Sequence, residues 1–280
     1  MQVLEAAIAE SANAWPLRRE RAAELAERYP HAAEMLRLYQ ALIPVQERAY
    51  LEFPSPLVGE GQGGGYSKLI DFAVERVLPE IVDATVSSGP ARLRDGVISV
   101  FCSADLPDLI RRWLHGQSLT PFETYLARAS TSPLFEAMSP HPALPRERGR
   151  EMEEDSSKTH CPNCGGLPQV SYFAVSGEPL VSGPRYLVCS RCARNWIFSR
   201  MTCAGCGEAD GGKLPIFQEE KQLPHMRVDG CRSCNRYLLT IDLRRDERAV
   251  PIVDELAALP LDLYATDQGL TKITPNLLGN

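Results

Sequence analysis

The sequence predicts an α+β protein: an all-helical N-terminal domain, two tandem four-cysteine β modules, and a short C-terminal helix. Three observations carry this. Helix-forming residues with three- and four-residue apolar steps fill the first half. Eight of the nine cysteines fall between residues 161 and 234. Short apolar runs separated by turn residues replace the helical periodicity after residue 160.

The chain has 280 residues, 44% hydrophobic and 24% charged, with a net charge of −6. That length suits one large or two smaller domains, and the composition excludes a disordered chain. No run of 18 apolar residues is present, so no membrane-spanning helix is expected. The opening MQVLEAAIAE has no basic start, which argues against a secretory signal and for the cytoplasm. In that reducing compartment, paired cysteines point to metal rather than to disulfides.

The helical domain is expected over residues 1–138. Residues 18–28 hold strong helix formers, and Met35, Leu36, Tyr39, Leu42 and Ile43 make one buried face. Leu69, Ile70, Ala73, Val77, Ile81 and Val82 repeat that pattern over 66–86, with Pro79 as a kink or break. Asp105 to His115 reads as a short helix ending at Gly116, and Thr120-Pro121-Phe122-Glu123 as a capped helix start. The glycine-rich stretch 59–65 lacks the Gly-Lys-Ser/Thr order of a phosphate loop, because Lys68 follows Ser67, and reads as a flexible loop. Cys102 follows Val100 and Phe101 and reads as a buried core thiol. Residues 139–159, rich in proline and charge, read as a linker.

The cysteines form four Cys-x-x-Cys pairs: Cys161/Cys164, Cys189/Cys192, Cys203/Cys206 and Cys231/Cys234. Each cysteine of the first two pairs recurs 42 positions later, as do Gly165 in Gly207 and Arg185 in Arg227. One such turn aims two thiolates at one metal, and two turns make a tetrahedral site. A 24-residue spacer accommodates a returning β-hairpin, as in a zinc ribbon. The duplication favours Cys161, Cys164, Cys189 and Cys192 on one ion and Cys203, Cys206, Cys231 and Cys234 on a second, over a cross-brace that would link the first pair with the third and the second with the fourth. The modules are expected over 160–200 and 201–245. The residue after each closing cysteine needs a positive φ, which Gly165 and Gly207 adopt freely, Asn235 tolerates, and Ala193 fits least well.

Four thiolates suit zinc or mononuclear iron and leave no open coordination position. No Ser/His/Asp set or paired-carboxylate motif accompanies them, so a non-enzyme is expected, with no catalytic residue and no organic cofactor. His160 adjoins Cys161 but is not needed as a ligand, and His225 reads as a loop residue or a contact. Nucleic-acid binding is disfavoured. Residues 160–240 hold nine Lys/Arg against six Asp/Glu, and two divalent four-thiolate centres would bring that +3 to about −1. A local stripe through Arg191, Arg194, Arg200, Arg232 and Arg236 could bind nucleic acid or a protein. Residues 186–188 and 237–241 read as strands. Residues 251–265 read as a helix with Ile252, Leu256 and Leu259 on one face, within a C-terminal segment 246–280 whose tail from Gly269 is irregular.

Cys-Pro-Asn-Cys-Gly-Gly-Leu-Pro (161–168), Arg185 to Cys189, Trp196 with Arg200, Cys-Arg-Ser-Cys-Asn-Arg-Tyr-Leu (231–238) and Asp254 to Asp262 resemble the formate dehydrogenase accessory protein FdhE family. Residues 18–26 resemble that family's opening helix. The resemblance is strong from 161 to 265 and weaker from 40 to 155. It implies a cytoplasmic, non-catalytic maturation factor with a helical domain and two rubredoxin-like modules. It further implies that the eight cysteines bind iron and that the partner is the catalytic subunit of respiratory formate dehydrogenase. A rubredoxin-like redox protein and a nucleic-acid-binding double zinc ribbon are the alternatives.

Overall fold

The computed structural model describes residues 14–54, 62–139, 158–175 and 183–279. The chain divides into two compact units, one formed by residues up to Arg21 with 141–276, the other by residues 22–140 with 277–279. Most of the linker stretch 139–159 and of the Gly-rich stretch before Gln62 lies outside the described residues.

The helical unit contains the second half of α1 (Ala14–Arg28), then α2 (Ala33–Glu52), α3 (Gln62–Phe72), α4 (Leu78–Ser88), α5 (Ala91–Ser103), α6 (Leu106–Leu114) and α7 (Pro121–Met138). Leu36, Tyr39, Leu42 and Ile43 are buried on one face of α2, as the periodicity requires, and Met35 is half-buried. Gln46 donates to the Ala129 carbonyl at 3.0 Å, and Thr85 meets the Tyr125 hydroxyl at 2.6 Å, so both buried polar groups are satisfied. Asp105 caps α6 through the Asp108 amide, and Gly116 follows the helix with φ 69°. Thr120 and Glu123 form a reciprocal capping box on α7. Gly96 is required by close packing: a Cβ there would lie 2.5 Å from the Phe122 ring.

Three expectations for this unit are corrected. Residues 62–65 belong to α3 rather than to a loop; the helix extends through three glycines because its later turns carry the buried Leu69 and Ile70. Pro79 does not break the chain's course. A π-helical turn, Ala73–Val77, lies just before it, and the chain then continues as α4 with Pro79 in its first turn, where a missing N–H is tolerated. Cys102 is exposed, because in α5 the fully buried position is Val97 and Cys102 lies off that face.

The second unit is built on one sheet of β1 (Pro168–Phe173), β2 (Arg185–Cys189), β3 (Asn195–Phe198), β4 (Ile216–Gln218), β5 (Met226–Cys231), β6 (Arg236–Asp242) and β7 (Thr271–Lys272), in the order β3-β2-β1-β6-β5-β4 with β7 also on β6. Within each module the strands run antiparallel, as the spacers predict. The modules are not independent beads. Parallel pairing of β1 with β6, Ser171 opposite Thr240, fuses them into a single sheet. The two hydroxyls meet at 2.5 Å, and Arg185 reaches both Ser171 and Asp229.

The C-terminal segment differs from one continuous helix. It is α8 (Pro251–Asp254), a 3₁₀ turn (Glu255–Ala257) and α9 (Leu259–Asp267). Pro251 and Pro260 lie in the first turns of α8 and α9 and restart the helix, so the buried apolar set is Val253, Leu256, Ala257, Ala258, Leu261 and Ala265, while Ile252 and Leu259 are half-buried. The tail is not wholly irregular, since β7 pairs in parallel with Arg236 and Tyr237. Glu255 and Asp262 share Lys272 at 2.9 and 3.0 Å. Gln169 of the first module donates to Glu255 at 2.6 Å, and Tyr237 of the second donates to Asp262 at 2.8 Å. This segment therefore clamps both modules through one buried polar network. Breaking one member of such a network costs about 3–5 kcal/mol.

Candidate metal centres

The duplicated cysteine turns close with repeated hydrogen bonds. The Cys161 amide donates to the Gly166 carbonyl at 2.8 Å and the Gly165 amide to the Cys161 carbonyl at 2.9 Å; 42 residues on, Cys203 donates to Glu208 at 2.8 Å and Gly207 to Cys203 at 2.9 Å. The residue after each closing cysteine adopts the left-handed conformation: Gly165 at φ 70°, Ala193 at 50°, Gly207 at 78° and Asn235 at 52°. Ala193 and Asn235 are the non-glycine residues with positive φ among the described residues. That turn lets backbone amides face the sulfurs, as Arg191 does toward Cys189 at 3.4 Å and Gly205 toward Cys203 at 3.3 Å.

These turns bring together Cys161, Cys164, Cys189 and Cys192 in one cluster, and Cys203, Cys206, Cys231 and Cys234 in the other. Within each cluster all four sulfurs lie within 4.8 Å of one another. Sulfur separations are 3.7 Å for Cys161–Cys192, 3.3 Å for Cys164–Cys189, 3.8 Å for Cys203–Cys234 and 3.7 Å for Cys206–Cys231. A tetrahedron with metal–sulfur bonds of about 2.3 Å has sulfur–sulfur edges of about 3.8 Å. A disulfide would need about 2.05 Å, and all nine cysteines are free thiols. The donor set thus fits one tetrahedral metal per cluster, paired sequentially as the 42-residue repeat requires.

The electrostatics agree. Contact with Cys161, Cys164 and Cys192, followed by burial, pushes the Cys189 thiol well above its ordinary range. Burial pushes Cys203 up as well, while Cys161 is lowered to about 7 by its contacts with Cys164 and Cys189. Four adjacent thiols cannot all ionise unless a cation balances them. The clusters differ in exposure: Cys161, Cys189 and Cys192 are buried and Cys164 is half-buried, whereas Cys206 is exposed.

His160 is exposed and contacts Thr159, outside either cluster. His225 is a buried contact: its Nε2 lies 2.9 Å from Asp254, which also holds Arg21. Trp196 donates to the Lys158 carbonyl at 2.9 Å. In the basic stripe, Arg200 is engaged with the Gly183 carbonyl, Arg232 with Gln268 and Arg236 with Gly205. Sequence reasoning missed the Gln169–Glu255–Lys272–Asp262–Tyr237 network. Its one signal was the density of acidic residues in an otherwise apolar segment, Asp254, Glu255 and Asp262.

Fold and clusters together define a double four-cysteine ribbon protein with a helical domain. Residues 160–200 match the FdhE central domain and residues 201–278 the FdhE C-terminal domain. The FdhE homolog of Aquifex aeolicus is 36% identical over 122 residues, 44% of this chain and 42% of that protein. The homolog of Pseudomonas aeruginosa is 33% identical over 141 residues, 49% of this chain and 45% of that protein. In these matches the chain spans less than half the length of the curated relatives. The crystal structure of the FdhE protein from Pseudomonas aeruginosa superposes with a TM-score of 0.68 at 25% identity, covering 95% of this chain and 96% of that one. Residues 160–278 are thus similar to the central and C-terminal domains of the FdhE family.

No helix among the described residues is long and apolar enough to cross a membrane.

Proposed function

We propose that this chain is a non-catalytic accessory factor in the maturation of a respiratory formate dehydrogenase, acting in the cytoplasm. It holds two metal ions, iron or zinc, and docks the immature catalytic subunit. Cys161, Cys164, Cys189 and Cys192 hold one ion; Cys203, Cys206, Cys231 and Cys234 hold the other. A closed four-thiolate ion cross-links the chain and, if it is iron, can also carry one electron. The observation that carries the reading is the pair of closed clusters fused into one sheet. Each already has four protein ligands, so neither leaves a position for hydrolytic substrate. Such a construction supports a stable binding surface, and the similarity of residues 160–278 to FdhE domains supports the identity of the client.

The test is a strain lacking this gene. Respiratory formate oxidation should fail while the client polypeptide is still synthesised. The intact chain should restore activity and co-purify with the catalytic subunit, and a Cys161→Ser/Cys164→Ser variant should do neither. Normal formate oxidation in the deletion strain would exclude the proposal.

A further inference from the structure

A cavity of about 210 Å³ opens between the two cysteine modules, where the sheet joins them. Four arginines line it: Arg185 from β2, Arg200 before the second module, Arg227 from β5 and Arg244 after β6. The guanidinium carbons of Arg200, Arg227 and Arg244 stand 4.7, 4.7 and 5.2 Å from the centre of one ring, Phe173. Three like charges within about 5 Å of one point repel strongly in a partly desolvated site. Accordingly, burial together with Arg244 and Arg227 draws the Arg200 guanidinium below its usual range.

Among the described residues, two carboxylates pair with these four arginines. Asp229 is shared between Arg185 at 3.0 Å and Arg227 at 2.9 Å, and Asp242 holds Arg244 from the side. Although Asp229 is that close, Arg227 Nε has no aligned hydrogen-bond acceptor, so the contact is a charge pair and not a satisfied N–H. Cys203 also lines the cavity. Arg244 is forked by Asp242 at 2.7 and 2.6 Å and Arg200 donates to the Gly183 carbonyl, so among the described residues four guanidiniums line the cavity against two carboxylates and the cluster keeps a positive excess. Exposed Met201 and Ile216 flank that mouth and lower its polarity, which strengthens charge pairing inside.

We propose that this cavity is a binding site for a phosphoryl oxyanion. A tetrahedral dianion offers several acceptor oxygens and can answer more than one guanidinium fork, whereas a lone carboxylate has two. The volume is several times the roughly 30 Å³ occupied by one water and falls below the roughly 300 Å³ of a drug-sized pocket, so it fits a compact ion or the phosphoryl end of a larger ligand.

Calorimetric titration of the metal-loaded full chain with inorganic phosphate, at constant ionic strength, tests this. Saturable one-to-one binding is expected, at least tenfold weaker in Arg200→Gln and in Arg244→Gln, and unchanged in Arg92→Gln, an exposed arginine of α5. Arg244 is 41% exposed, so its variant is expected to fold; unchanged metal content and circular dichroism check this. Absent binding, equal binding by the Arg200 and Arg244 variants, or acetate binding as tightly as phosphate would overturn the proposal.

Discussion

Gly166 is the position where one added methyl group distinguishes the two clusters. A Cβ there would lie 2.8 Å from the Cys189 sulfur, 3.3 Å from the Cys164 sulfur and 3.3 Å from Arg191 Cγ. Ordinary carbon contacts fall at about 3.5–4.0 Å, so the Cys189 sulfur would have to retreat by about 0.7 Å or more. Metal–ligand bonds tolerate only about 0.2 Å. Overpacking of this kind costs about 1–3 kcal/mol, which corresponds to a loss of about 5- to 150-fold in affinity at the first cluster. The second module supplies its own control, because the residue 42 positions on is Glu208, whose side chain points outward to Ser233 and Lys213. Gly166→Ala should therefore weaken the first site alone, and Glu208→Ala should leave both sites intact. Competition against a chromophoric chelator, run in variants that keep one cluster each, reads the two affinities separately. Equal affinity of Gly166→Ala and the parent at the first cluster would refute the steric reasoning.

Ala193→Gly should stabilise the protein by about 0.5 kcal/mol, because relief of a left-handed alanine at about 1–2 kcal/mol exceeds the extra backbone entropy of glycine at about 0.5–1 kcal/mol; a lowered thermal midpoint would contradict this. Arg21→Met should destabilise by about 3–5 kcal/mol in urea unfolding. It removes the guanidinium bound at 2.5 Å to the fully buried Asp254, leaving that carboxylate only His225 and the Val250 amide. Cys102→Ser should change neither metal content nor stability beyond about 0.5 kcal/mol, since that thiol is exposed and belongs to neither cluster.

The sulfur clusters were legible because their information is local. A Cys-x-x-Cys turn fixes its own geometry, and a 42-residue repeat fixes which turns pair. Even the positive φ at Ala193, the least suitable residue for it, follows from the position after a closing cysteine. What failed depended on partners distant in sequence. The parallel join of β1 to β6 is made by Ser171 and Thr240, two small hydroxyl residues with no pattern of their own. The buried side of the C-terminal segment shifted from Ile252 and Leu259 to Val253 and Leu261 because prolines 251 and 260 restart the helix, which resets the periodicity. Cys102 looked buried because Val100 and Phe101 precede it, yet one apolar step along a helix turns the side chain by about 100°. Gly63, Gly64 and Gly65 have the composition of a loop but are helical, so local propensity was overridden by the helix that continues from them.

The central claim is that eight cysteines form two separate metal sites. Its most direct test is metal analysis, with a visible spectrum, of protein purified without oxygen and of its cysteine variants. Two ions per chain are expected. One should remain after Cys161→Ser/Cys164→Ser, and one after Cys203→Ser/Cys206→Ser. A stoichiometry below one in the parent chain, or loss of both ions from either double variant despite a folded sheet, would contradict two independent four-thiolate centres.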